Sequence, residues 1–405
     1  MFNLTVQTRT ILIAWELGGG LGHLMRAAAL ARQLSSAGMR TTVCLADVTD
    51  TPWTEWPADT QILPAPRATR LPPHFVAPAT FGELLYGCGY HDRGQLSAII
   101  TSWLHLLELI EPAVVIADHA PAAQLAARIH GVGTVRVGTG FFAPPVPEAR
   151  FRTWEAVNPD RIRTTEAIVL GHINAIFDAC GTPAAATLVD ALRPARDLIA
   201  GWPETDCYAA LRSPGEVTYL GHERARTSGS APNPPALWSS ADRRVVAYLR
   251  GDYQSLEPIL ESLSERHATL AYLSNIDAAL AGRFANERLT LTPAPFDLAA
   301  YAATCDALIC HAGAGTMPAF IEAGVPVLML PYQAEQRSNA ECIVRLGAGL
   351  LLDPKSARAT FASTLEQVLG DQRYARAARA LAQRWTGHVD GIATAARLIC
   401  EFIDS

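Results

Sequence analysis

Nowhere in the 405-residue chain do apolar residues run uninterrupted for the ~18 that a membrane-spanning helix needs. No N-terminal secretory leader is visible, only the short apolar run ILIAW ahead of a glycine cluster. A soluble, cytoplasmic protein is therefore expected, with contact at a membrane surface left open. Charged residues are scarce at 18%, while apolar residues reach 49%, which excludes a disordered chain. The formal net charge is -6, so a broad basic face for nucleic acid is excluded and only a local basic pocket is left room. The 8 cysteines are scattered without a C-x-x-C pair. Cys305 and Cys310 are the nearest, and no second pair follows at zinc-site spacing, so reduced, buried thiols are expected. No solenoid repeat, low-complexity tract or Asp-x-Asp metal motif occurs.

What the chain has is alternation. ILIAW (11–15), TTVCLAD (41–47), AVVIAD (113–118) and TVRVGTG (134–140) read as buried parallel strands. Helical patterns lie between them, such as HLMRAAALARQLSS stopped by Gly38, and PAAQLAARIHG with Pro first and Gly last. After the Pro- and Ser-rich stretch 222–242, read as a linker, the rhythm restarts with RVVAYL, ATLAYLS, ALIC and VPVLML. The length suits two domains. The expectation is two doubly wound α/β domains facing across a cleft, with ligands at the carboxyl ends of strands.

Two glycine loops stand out. The first, in WELGGGLGHLMR, carries Gly18, Gly19, Gly20 and Gly22 between the first strand and first helix. A dinucleotide fingerprint beginning at Gly18 needs a sixth-position glycine, and His23 stands there. Asp47 does end the second strand, so a dehydrogenase is half-satisfied. His23 lies in the first turn of a helix, whose positive end disfavours imidazolium, so it is either a base or a loop cap. Asp118 ends AVVIAD and could cap the helix near Pro121, or hold a histidine's far nitrogen. His119 competes for either role.

The second loop is HAGAGT, from His311 through Gly313, Ala314 and Gly315 to Thr316. Thr316 is an expected N-cap, Pro318 fits the first turn and Gly324 ends the helix. Free N–H groups at a helix start suit an anion, with His311 and the Thr316 hydroxyl as added donors. The Walker lysine is missing, which favours a diphosphate that departs over a triphosphate that is hydrolysed. VPVLML is followed at once by Gln333, Glu335, Gln336 and Asn339.

H-A-G-A-G-T, then A-G-V-P-V-L-M-L-P, then E-Q-x-x-N-A resembles the donor signature of the UDP-glycosyltransferase superfamily. The N-terminal G-H-L-M-R-A-A-A-L-A-R-Q-L is similar to that family's acceptor-side start. The resemblance implies the GT-B fold, with an acceptor domain over 1–221, a linker over 222–242 and a donor domain over 243–385. The final helix, about 386–405, would cross back to the first domain. It implies an inverting, metal-independent transfer from a nucleotide sugar to a small-molecule, lipid or glycan acceptor, without a cofactor. His23 takes the place of the base and Asp118 that of its partner acid. His311, the loop amides and Thr316 would hold the diphosphate. Glu335 and Gln336 would bind sugar hydroxyls, while Asn339 joins them or caps the next helix.

Arg250, in Arg250-Gly251-Asp252, departs from the family's small polar loop, and either reaches a phosphate or forms a surface ion pair. UDP-using relatives commonly carry a glutamate at the position of Ala319, so a dTDP-type donor is favoured unless Glu322 substitutes. The stretch 80–100 matches no family pattern and is expected to help form the acceptor pocket. A nucleotide-sugar epimerase or hydrolase on this fold, and a non-catalytic sugar-nucleotide binder, are the rival readings.

Overall fold

A computed structural model describes residues 9–19, 21–49, 55–72, 77–154, 156–223, 232–297, 299–386 and 390–405. Gly20 and residues 224–231 of the expected linker lie outside them. The chain divides into two units, Met1–Ala225 with Val389–Ser405, and Arg226–His388.

In the first unit the strands are β1 (Thr10–Trp15), β2 (Arg40–Leu45), β3 (Gln61–Pro64), β4 (Val114–Asp118), β5 (Thr134–Gly138), β6 (Arg196–Ala200) and β7 (Thr218–Gly221). They form one sheet in the order β3-β2-β1-β4-β5-β6-β7, and the named strands pair in parallel. The helices that the site uses are α1 (Leu21–Ser36), α2 (Phe81–Leu85), α3 (Arg93–Ile110), α4 (Pro121–His130), α5 (Pro159–Ala179) and α6 (Leu188–Ala191). β1 and β4 are neighbours, yet the chain leaves β1 toward β2 on the other side. This reversal is where doubly wound sheets bind ligands. The register pairs Trp15 with Asp118, so both strands end together there.

The second unit repeats the plan. It holds α7 (Leu256–Arg266), α8 (Ala278–Phe284), α9 (Ala299–Ala302), α10 (Met317–Glu322), α11 (Ala334–Arg345), α12 (Ala357–Gly370) and α13 (Gln372–Trp385). Its strands are β8 (Arg244–Arg250), β9 (Ala268–Ser274), β10 (Leu289–Thr292), β11 (Ala307–Cys310), β12 (Val327–Met329) and β13 (Gly349–Leu351). The parallel order is β10-β9-β8-β11-β12-β13, with the reversal between β8 and β11. Arg250 and His311 sit at the ends of those two strands.

The last helix, α14 (Gly391–Asp404), packs on α1 and β7 of the first unit. Its Ile392, Ala395, Ala396 and Ile399 join the core of Ile13, Leu24 and Leu220. Asp390 caps it by accepting from the Ile392 N–H at 3.0 Å. The stretch read as a linker does not stay free over 232–242. Trp238 is buried with its ring edge-on to Tyr301 at 6.3 Å, and the Leu237 N–H donates to the Glu287 carbonyl. An apolar indole outweighs the surrounding Pro and Ser. Among the described residues no helix is long and apolar enough to cross a membrane.

Candidate functional site

β1 delivers its chain into a turn at Gly18, and α1 starts at Leu21, so His23 lies in that helix's first turn. Its Nδ1 stands 2.9 Å from Asp118 Oδ1. Trp15 stacks on the imidazole at 5.2 Å and 14°. The other ring nitrogen lies under the Gly18 turn. A Cβ there would come within 3.1 Å of Nε2, so glycine, at φ +84°, keeps its approach clear. Gly22 meets no such crowding, since its Cβ would touch nothing within 4 Å.

The capping role weighed for Asp118 is not what the structure shows. α4 starts after Ala120 with no side-chain cap, and its free N–H groups go to Glu16. Glu16 accepts from Ala122 at 3.0 Å and from Ala123 at 2.5 Å. Burial pushes the Glu16 carboxyl up to about 8, against the downward pull of those two donors. Asp118 instead lies between the Arg26 guanidinium and the His23 ring. Arg26 Nη1 donates to its Oδ2 at 2.8 Å, opposite the His23 contact. Burial alone would raise the Asp118 pKa, but Arg26 and then His23 outweigh it and hold it at about 2. Arg26 in turn donates through Nε to both Glu223 oxygens at 2.7 Å.

Sequence reasoning missed Glu16, Arg26 and Glu223. One signal was available: Arg26 interrupts the apolar run LMRAAALA of α1, three residues after His23 and so on its face. The partners of these residues are remote in sequence, which hides them.

His119 takes neither role expected of it. It has φ +47° and its ring is buried, stacked on Phe142 at 3.5 Å. Burial, then the neighbouring His23, push its pKa down to about 3. Asp47 is exposed and occupied in a turn, accepting from the Thr49 N–H at 2.8 Å.

In the second unit, three expectations need correction. His311 has no N–H to offer an anion. Its Nδ1 faces the Leu330 carbonyl at 2.7 Å, and its Nε2 accepts the Arg250 backbone N–H at 3.0 Å. Burial pushes its pKa down to about 4, so the ring is neutral and fixed in this tautomer. Thr316 starts α10 but makes no capping bond, having helical φ and ψ itself. α10 is only 6 residues long, too short for the full field of a helix end. What remains at this loop is N–H groups and a hydroxyl, above which Cβ atoms at Gly313 and Gly315 would meet nothing within 4 Å. Asn339 caps no later helix. It lies within α11 and donates to the Ala312 carbonyl at 3.1 Å, holding a residue at φ +60°. Ala314 stands half-buried in the same loop.

Arg250 forms the surface ion pair, donating twice to Asp252 at 2.7 and 2.6 Å. Gln336 spends its oxygen on the Tyr332 N–H at 3.1 Å, leaving its amide N–H groups for other partners. Glu335 occupies the first turn of α11, and Glu322 the last position of α10.

Within the first unit, a pocket of ≈ 210 Å³ opens beside α2, α5 and α6. Phe81, Pro144, Leu170 and Leu188 are among its apolar walls, with Glu166 and Arg136 as charged ones. Arg136 is committed to Asp197. Phe81 links the pocket to the site, its ring 6.2 Å from that of His119, which is 6.4 Å from His23. The unplaced stretch 80–100 forms α2, the irregular turn Tyr86–Tyr90 and the start of α3.

Residues 292–389 match the family described as Erythromycin biosynthesis protein CIII-like, C-terminal domain. The chain is 26% identical over 350 residues to a PGL/p-HBAD biosynthesis glycosyltransferase of Mycobacterium tuberculosis (strain ATCC 25177 / H37Ra), covering 78% of each. Among solved structures, the calicheamicin glycosyltransferase CalG4 superposes with a TM-score of 0.71 at 16% identity, over 98% of this chain and 99% of that one. The glycosyltransferase VinC, in complex with dTDP, superposes with a TM-score of 0.66 at 15% identity, over 96% and 98%. The two parallel-sheet domains are therefore those of the GT-B fold.

Proposed function

We propose, from the premise that this chain is a glycosyltransferase of the UDP-glycosyltransferase superfamily, that it moves a sugar from a nucleoside diphosphate to an acceptor hydroxyl with inversion and without a metal. The observation that carries this is the 2.9 Å contact between His23 and Asp118 at the reversal point of the first sheet. His23 Nε2 takes the acceptor hydroxyl's proton as the oxygen forms its bond to the anomeric carbon. The bond from that carbon to the diphosphate breaks, and the nucleoside diphosphate leaves with the electron pair. One displacement inverts the centre. Asp118, held ionised by Arg26, steadies the imidazolium.

The diphosphate is assigned to the N–H groups of 313–316 and the Thr316 hydroxyl, with His311 fixing the loop's base. Glu335 and Gln336 are assigned to sugar hydroxyls, each of which needs a partner once buried. The acceptor is assigned to the ≈ 210 Å³ pocket and the surface next to it, which suits an apolar small molecule. The missing Asp-x-Asp motif supports transfer without a cation. For the donor, Ala319 supports a dTDP-type nucleotide, and VinC was solved with dTDP.

His23→Ala is expected to lower transfer ~10²-fold or more while leaving nucleotide binding intact. Full transfer by that variant rejects the base. Mass spectrometry of an acceptor library with several nucleotide sugars identifies the product, and retained activity in EDTA checks metal independence. Nucleotide-sugar turnover with no acceptor product would favour a hydrolase or epimerase.

A further inference from the structure

We infer that Glu223 belongs to the acid–base machinery: through Arg26 it gives the buried cluster around His23 one net negative charge, which a proton on His23 cancels. The inference rests on the reading of His23 as the base. His23, Asp118, Arg26 and Glu223 have side chains 11%, 3%, 8% and 12% exposed. They form an unbroken chain of contacts, from Nδ1 to Asp118, from Asp118 to Arg26, and from Arg26 to Glu223.

With a neutral ring, the two carboxylates and one guanidinium sum to one negative charge. The acceptor's proton brings the sum to zero. Without Glu223, Asp118 and Arg26 would already be neutral, and the same proton would leave a net charge in a site shielded from water. Low-dielectric surroundings penalise that outcome. Arg26 therefore holds Asp118 ionised, while Glu223 prevents Arg26 from cancelling what His23 needs. Glu223 acts through Arg26 and is a positioning residue.

The other titratable groups around His23 do not change this count. His119, in the turn between β4 and α4, is uncharged at neutral pH because burial and His23 depress it. Glu16, in the loop after β1, is uncharged at neutral pH because burial raises it to about 8, and it directs its oxygens at the α4 N–H groups. On β5, Arg136 is paired with Asp197.

The test follows the His23 ring C2–H by NMR through a pH titration of the full chain, its resonance assigned by loss in His23→Ala. The pH profile of kcat/KM is measured beside it. Glu223→Gln is expected to move the His23 midpoint and the acid limb of the profile to lower pH, by roughly half a unit or more. Arg26→Gln leaves the cluster at two negative charges and moves both to higher pH. The double variant restores the sum of one and returns both toward the native position. A packing role predicts additive damage, with no reversal of sign and no return. If the Arg26 variants do not fold, Glu223→Gln decides alone. A midpoint that stays put in Glu223→Gln overturns the inference. Movement of the midpoint without movement of the acid limb leaves the charge coupling standing and rejects His23 as the base.

Discussion

Gly18 is the residue with least freedom to change at the first site. Its φ of +84° already disfavours any side chain, and a Cβ would crowd His23 Nε2 at 3.1 Å and His119 Nδ1 at 3.4 Å. Gly18→Ala should cost about 1–2 kcal/mol of strain and lower kcat ~10-fold or more, with nucleotide affinity unchanged. Steady-state kinetics beside calorimetry check this; a native kcat would mean the turn relaxes away from the ring. At the second site, Asn339 ties down Ala312, a non-glycine residue at φ +60°. Asn339→Ala loses one hydrogen bond of about 1 kcal/mol, so donor KM should rise ~5-fold with kcat nearly kept. A fall in kcat alone would place Asn339 on the reacting sugar instead. His23 and Asp118 were readable because each ends or follows an apolar strand, where a polar residue is conspicuous. The exhausted donors of His311 were not readable. They depend on the Leu330 carbonyl and the Arg250 N–H, brought together only by the register of three strands.

The N-terminus of α4 shows how one element serves another. Its free N–H groups are satisfied by Glu16 of the loop after β1, which joins the strand end to the segment carrying Asp118 and His119. Burial raises the Glu16 pKa from 4.5 to about 8. The folded chain thus holds this proton across a pH range where the unfolded chain has lost it. Stability from this group is complete below pH 4.5 and declines as pH rises through 8. Each pKa unit corresponds to about 1.4 kcal/mol, so the native unfolding free energy should fall by a few kcal/mol more than that of Glu16→Gln between pH 5 and 8. Denaturant melts at those two pH values measure it, and parallel slopes in both proteins would show Glu16 ionised throughout. The central strands were legible because parallel strands buried on both faces read as continuous apolar runs. β3, β7, β10 and β13 were not, being 4, 4, 4 and 3 residues long. Such short edge pieces carry no period to detect. α14 was legible from its apolar spacing, and Ile392, Ala395, Ala396 and Ile399 carry that spacing into the core.

At the scale of the molecule, a chain of net charge -6 is proposed to take a nucleoside diphosphate sugar that is itself anionic. The nearby cation Arg250 is engaged by Asp252, and His311 is uncharged. Donor affinity should therefore come mainly from fixed N–H groups and from the nucleoside, which makes the choice of nucleoside energetically prominent. The position where UDP-using relatives commonly carry a ribose-binding glutamate holds Ala319, inside α10. Its methyl group cannot accept from a ribose hydroxyl. A 2′-hydroxyl buried there without a partner costs on the order of 1–3 kcal/mol, and a deoxyribose avoids that cost. The compensation to test is Glu322, three residues on and half-buried, on the same face of the helix. Helical side chains lean toward the N-terminus, which shortens its reach to the Ala319 position. Calorimetry on the full chain is expected to give dTDP an affinity equal to or above that of UDP, and Glu322→Ala should leave that order unchanged. UDP binding tenfold tighter or more, a difference of ~1.4 kcal/mol, would reject the deoxyribose preference. If Glu322→Ala then removed the advantage of UDP, the ribose would be assigned to Glu322.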